Sequence, residues 1–138
     1  MKDVLRNTLA AMAGALTGMM LILAIQKFAL SLYPLPAGLD PKDAAAMKAY
    51  FQTLPLGAFL MVLLSYFVGV LAGAHVAGRF SSDGGSRQAV MVTGLFVFAS
   101  LLNLLGLPHP VWFWFANFAV VIVAGWIGIK LLPKRAAS

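Results

Sequence analysis

The sequence predicts an all-α fold, an integral membrane four-helix bundle in one domain that covers residues 1–138. Two observations predict it. Hydrophobic residues make up 62 % of the chain, which is well above the level of a soluble domain. The long runs without a charged residue are 7–26, 49–78 and 88–129. Because a membrane helix needs about 20 apolar residues, these runs hold one, one and two spans.

A pair of prolines divides the last run. The segment GLPHPVWFWFANF, residues 106–118, places His109 between Pro108 and Pro110. Prolines remove backbone donors and force the preceding residue out of helical geometry, so one helix ends here and the next begins. We expect His109 at the exposed tip of this turn. The predicted spans are about 7–32, 55–79, 88–107 and 111–131.

The basic residues predict the orientation. The larger group comprises Lys2, Arg6, Arg79, Arg87, Lys130, Lys134 and Arg135. The opposite side has Lys42 and Lys48, which Asp40 and Asp43 offset. Basic residues favour the cytoplasmic side, so we expect both termini there, in a multi-pass membrane protein. The net charge of +6 is scattered over helix ends, so nucleic acid is not an expected partner.

The connection between the first two spans predicts a short extracytoplasmic surface helix over about 41–53. Asp40 is the expected N-cap, and Pro41 fits the first helical position. The helix lies flat on the membrane or lids the bundle. Its apolar residues have the spacing of one face and are Met47, Tyr50, Phe51 and Leu54.

Small residues recur at every fourth position in the first two spans. They are Ala10, Gly14 and Gly18 in the first span, and Gly69, Gly73 and Ala77 in the second. Such seams let two helices approach closely in lipid. We expect the two spans to touch, and a homodimer formed through the same seam is the alternative.

A few polar residues fall within the predicted spans and form the candidate ligand-binding layer. They are Gln26, Lys27, Tyr66, Ser100, Asn103 and Asn117, with Ser65 nearby. In one interpretation Asn103 and Asn117 bond each other while Lys27 snorkels to the headgroups. In the other, Lys27 is the charged floor of an outward-facing pocket for an anionic group, because no acidic residue lies in a span to neutralise it.

The remaining titratable residues predict no catalytic or metal site. The four acidic residues lie outside the spans, and the chain has no glutamate and no cysteine. This composition argues against a carboxylate-coupled transporter, disulfides and thiol chemistry. His75 and Arg79 share a helix face and are candidates for lipid-headgroup contact, whereas His109 lies on the other side of the membrane. We expect no cofactor, no metal and no enzymatic activity.

Four segments of the chain carry a resemblance, and they read YPLPAGLDP, TLPLGAF, VLAGAHVAG and LPHPVWFWF. Together they resemble an uncharacterised family of small bacterial inner-membrane proteins with four helices. The resemblance covers about residues 14–132 and implies a four-helix inner-membrane protein, without an activity. Such patterns suggest Gly-Gly in the second span, where this chain has Gly73-Ala74.

Two function hypotheses follow from these observations, and a third, a membrane enzyme on lipid or quinone substrates, has no visible acid/base pair to support it. The first is a non-enzymatic accessory, scaffold or lipid-contacting protein, whose partners are the bilayer and a second copy or another membrane protein. The alternative is a small-solute or lipid transporter that acts as a homodimer, with an outward-facing polar site near Lys27. A tightly packed interior favours the first hypothesis, and a cavity between the first and third spans favours the second.

Overall fold

The computed structural model describes residues 1–134 and forms five helices. Arg135, one of the basic residues expected on the cytoplasmic side, lies outside the described residues. The helices are α1 (Lys2–Leu32), α2 (Ala44–Thr53), α3 (Leu56–Phe80), α4 (Ser86–Gly106) and α5 (Val111–Lys130).

Four of the helices, α1, α3, α4 and α5, are long and apolar enough to cross a membrane. The bounds of these helices agree with the predicted ones to within two residues, except that α1 begins at Lys2 rather than near residue 7. Large apolar side chains on the outward faces, such as Leu16, Phe98 and Ile122, are more than half exposed. A helix pair in water would bury such side chains, so the exterior suits a lipid environment and a multi-pass membrane protein.

Helix α3 lies at the centre of the bundle and packs against α1, α4 and α5. Helices α1 and α5 lie on opposite sides of the α3–α4 pair. Within residues 1–134, no α-carbon of α1 approaches within 8 Å of one in α5. The core of the bundle therefore lies along α3, whose buried side chains include Val70, Ala74 and Ala77.

The predicted contact between α1 and α3 is confirmed, and it runs along the small-residue seam. A Cβ atom added to Gly73 would lie 2.7 Å from the carbonyl oxygen of Gly14. One added to Gly69 would lie 2.7 Å from the carbonyl oxygen of Gly18. The backbones of α1 and α3 are in contact at both levels, so the small-residue seam packs these two helices together within one chain.

The end of the bundle that holds the start of α1, which we call the terminal end, is closed by polar contacts. The Arg6 Nε donates a hydrogen bond to the Phe80 carbonyl oxygen, 2.9 Å away at the carboxyl end of α3. The Asn7 Oδ1 accepts from the Ser82 backbone nitrogen, at 2.7 Å. In the turn that follows, Gly85 has a φ of 87° and packs against the backbone of Gly78. These contacts tie α1, α3 and α4 together at the terminal end.

Helix α2 begins three residues later than predicted, and its N-cap is Asp43 rather than Asp40. The Asp43 Oδ1 accepts hydrogen bonds from the backbone nitrogens of Ala45 and Ala46, at 3.0 and 3.1 Å. Asp40 instead accepts from the Lys42 backbone nitrogen, at 2.9 Å, within a turn. Two acidic residues can cap a helix here, and the local Asx-turn at Asp40 delays its start.

Candidate functional site

A cavity of about 250 Å³ lies at the opposite end of the bundle, beneath α2. Its lower walls come from the last turns of α1, the first turns of α3 and the end of α4. The apolar face predicted for α2 is confirmed, because all four of its residues line the cavity: Met47, Tyr50, Phe51 and Leu54.

Helix α2 is held in place by side chains and not by close helix packing. Among the described helices, none brings an α-carbon within 8 Å of α2. The Met47 side chain is buried, and the Phe51 ring lies 6.2 Å from the Phe59 ring of α3, between centroids. Tyr33, at the carboxyl end of α1, packs against Gly57, where a side chain would collide with its hydroxyl. The cavity is the space that this separation leaves beneath α2.

The floor of the cavity carries two primary amides, Gln26 and Asn103. The Gln26 Nε2 donates to the Ser65 Oγ, 3.2 Å away on α3. Ser65 is fully buried and donates in turn to the Val62 carbonyl oxygen, at 2.6 Å. The Asn103 side chain interacts with the buried Tyr66 hydroxyl. Part of the predicted polar layer is therefore assembled, with Gln26 and Asn103 facing the cavity and their partners one layer deeper.

Lys27 lies outside this cavity. The sequence places it next to Gln26, but on a helix the two side chains point about 100° apart, and Lys27 is exposed. The predicted charged floor is thus replaced by the amide of Gln26. Within residues 1–134, every side chain that lines the cavity is uncharged when His109 is neutral.

His109 is not at the exposed tip of the turn, as expected, but half-buried against aromatic rings. Its ring stacks on Phe113, with 4.8 Å between centroids and 11° between planes. It meets the Phe51 ring of α2 edge-on, at 5.0 Å. Its Nδ1 donates to the Leu107 carbonyl oxygen, at 3.1 Å, since a carbonyl only accepts. The expectation was wrong because α2 folds over the turn and covers it.

The environment of His109 predicts a pH-dependent attachment of α2. Burial lowers the pKa of His109, and the hydrogen bond to the Leu107 carbonyl partly opposes that shift. Lys48 of α2 lines the same surface recess, so a second positive charge there would be unfavourable. The closed form therefore favours neutral His109. The packing of α2 against His109 is stable above the ordinary histidine pKa of about 6.5. It weakens as the pH falls towards the lowered pKa of His109.

We expect the amides of α2 to lose protection from hydrogen exchange between pH 7.5 and 5.5, after correction for the intrinsic exchange rate. The amides of α3 serve as the internal reference. A His109→Phe variant keeps the ring contacts and is expected to show pH-independent protection. Equal pH dependence in the variant and the parent protein would exclude His109 as its source.

Asn117 and Ser100 lie apart from the cavity, in the core. Asn117 is 1 % exposed, and neither its Oδ1 nor its Nδ2 has a hydrogen-bond partner within residues 1–134. The predicted bond between Asn103 and Asn117 is therefore not formed. Ser100 is fully buried and donates to the Val97 carbonyl oxygen of its own helix, at 2.9 Å. Both side chains are elements of the core and do not reach the cavity.

His75 and Arg79 lie towards the terminal end and diverge. The His75 Nδ1 lies 3.3 Å from the Gly128 carbonyl oxygen, so its ring faces α5. Arg79 is exposed in the last turn of α3. The two residues are one helical turn apart. Of the two, Arg79 is exposed and can contact a lipid headgroup, whereas the His75 ring is turned towards α5.

Comparison of the chain with family models, with curated proteins and with solved structures gave no match. No group of three or more His, Cys, Asp or Glu side chains in residues 1–134 is placed to hold a metal ion. The cavity beneath α2 is the structural feature that bears most directly on function. The sequence did not predict His109 and Tyr33 as lining residues of the cavity. Both adjoin prolines that end a span, at the same end of the bundle as α2.

Proposed function

We propose that this chain is a non-enzymatic, lipid-contacting protein of the bacterial inner membrane, with both termini in the cytoplasm. The observation that carries the proposal is the cavity beneath α2, which combines apolar walls with the amide floor of Gln26 and Asn103. Pockets for small apolar ligands have this composition, with a few polar groups that fix orientation. The position of the cavity at the end of the spans suits a ligand drawn from the bilayer.

The distribution of basic residues supports the proposed orientation of the chain in the membrane. Lys2, Arg6 and Lys130 belong to the terminal end, where we place the cytoplasm, and α2 then lies outside. Exposed Arg79 at the terminal end is suited to contact the phosphates of the inner leaflet.

A second candidate function is transport of a small solute or lipid by a homodimer. One observation favours it, namely that residues of both α1 and α4 line the cavity, which reaches Gln26, about two turns below the end of α1. Transport would require a continuation of this cavity through the core, where Asn117 and Ser100 would be the next polar groups. Uptake into proteoliposomes is the measurement that separates this candidate from lipid contact alone.

The experiment that tests lipid contact is mass spectrometry of the lipids that remain bound after purification in mild detergent. The test variant is Ala58→Leu, which adds bulk to a lining position of the cavity. The control is Lys27→Ala, which changes an exposed side chain next to Gln26 and outside the cavity. We expect stoichiometric lipid on the parent protein and the control, and at least a fivefold loss on Ala58→Leu.

Two outcomes contradict the proposal. One is a parent protein without bound lipid, and the other is an equal lipid content in Ala58→Leu at an unchanged unfolding temperature. If Lys27→Ala alone loses lipid, the binding site is the predicted pocket for an anionic group at Lys27 and not the cavity beneath α2.

A further inference from the structure

We infer that the cavity beneath α2 binds the uncharged, hydrogen-bonding head of a single-chain amphiphile, such as a monoacylglycerol or a long-chain alcohol, and discriminates against anionic heads. The inference rests on the proposed function and names the ligand class of the same site. Three properties of the cavity carry it: its charge, its floor and its size.

The charge of the cavity excludes an anionic head. The groups that line it in the described chain are neutral, and Lys27 is exposed outside it. An anion transferred from water into such a site would lose its hydration without a cationic side chain among the lining groups, since Lys48 lines the neighbouring recess and not the cavity. The lowered pKa of His109 keeps this ring neutral near pH 7, so it does not supply a positive charge.

The floor of the cavity suits a hydroxyl or a carbonyl group. Gln26 and Asn103 are primary amides, and each offers both a donor and an acceptor. Gln26 is oriented by its hydrogen bond to the buried Ser65, and Asn103 by its interaction with Tyr66. Because these partners lie behind the floor, the amides are held towards the cavity before a ligand arrives.

The size and the rim of the cavity suit one chain. Its volume of about 250 Å³ equals the liquid volume of roughly eight waters. This space holds a small polar head and the first carbons of one chain. Leu30 and Leu35 line the cavity and are about half exposed, 51 % and 49 %. They give the rim an apolar path along which the rest of the chain extends into the bilayer.

Binding of tritiated 1-oleoylglycerol to the full chain, measured by scintillation proximity in detergent at pH 7.5, tests the inference. The competitors are unlabelled 1-oleoylglycerol, oleate and oleoyl lysophosphatidylglycerol, which share the same chain and differ in the head. We expect the two anionic competitors to be at least tenfold weaker. Gln26→Leu is expected to weaken binding at least fivefold, and Lys27→Gln to leave it unchanged.

Each outcome has one meaning. Equal or stronger competition by the anionic amphiphiles overturns the uncharged class, while lipid contact in the cavity stands. Unchanged binding in Gln26→Leu overturns the role of the amide floor. Absence of binding for all three amphiphiles overturns the inference, and if the lipid analysis of the purified protein is also empty, the proposed function fails as well. Asn103→Leu provides a second floor variant if Gln26→Leu does not fold.

Discussion

Replacing Gly73 with alanine is expected to destabilise the bundle by about 1–3 kcal/mol, the usual range for overpacking a tight contact. The added Cβ would lie 2.7 Å from the Gly14 carbonyl oxygen and 3.3 Å from the Phe96 ring. The ring can move, but the backbone oxygen cannot do so without separating α1 from α3. The free energy of unfolding, measured by titration with sodium dodecyl sulfate in mixed micelles, is the quantity that checks this.

Gly94 provides the matched control. It lies within α4, and an added Cβ would meet no atom within 4 Å. Since alanine is a better helix former than glycine by up to about 1 kcal/mol, Gly94→Ala is expected to be neutral or stabilising. Equal effects of the two substitutions would mean that the α1–α3 seam does not depend on backbone approach at Gly73.

Replacing Asn117 with leucine is expected to stabilise the protein by about 1–3 kcal/mol, the cost of burying an unpaired amide. Asn117 lies on the buried stripe of α5 that also contains Phe113 and Val121, both fully buried. Both polar atoms of Asn117 lack a partner within residues 1–134. Leucine has the same branching at Cγ and the same number of side-chain heavy atoms, and it places no polar group at this apolar position. Unfolding in the same mixed micelles measures the change.

Asn103→Leu is the comparison for this prediction. The same substitution there removes an interaction with Tyr66 and a polar group of the cavity, so no gain in stability is expected. If Asn117→Leu is instead destabilising, the amide has a partner outside the described chain, such as a buried water or a transported solute. A solute, and not a buried water, as that partner would favour the transporter over lipid contact alone.

The sequence predicts the spans and the α1–α3 contact well because both depend on local composition. A run such as residues 49–78 allows one membrane span, and small residues at every fourth position mark the packing face of that span. The start of α2 is less predictable. Asp40 and Asp43 are both competent caps, and only the geometry of the preceding turn decides between them.

The candidate site is predicted only in part. The sequence indicates how deep in the membrane a residue lies more readily than which way its side chain points. Gln26, Asn103 and Asn117 share similar depths, yet only the first two face the cavity. Lys27 is one residue from the floor and faces away from it. The environment of His109 depends on α2, which returns over the turn from a distant part of the sequence. A local pattern contains no information on that contact.

The attachment of α2 by side chains alone has a consequence for how the protein unfolds. Because no helix of the described chain brings an α-carbon within 8 Å of α2, its opening exposes its apolar face and the cavity beneath it and leaves the spans intact. Such a segment opens at a free-energy cost below that of the whole fold. Limited proteolysis should therefore first cut within residues 36–55, and the two fragments should remain associated through the α1–α3 seam.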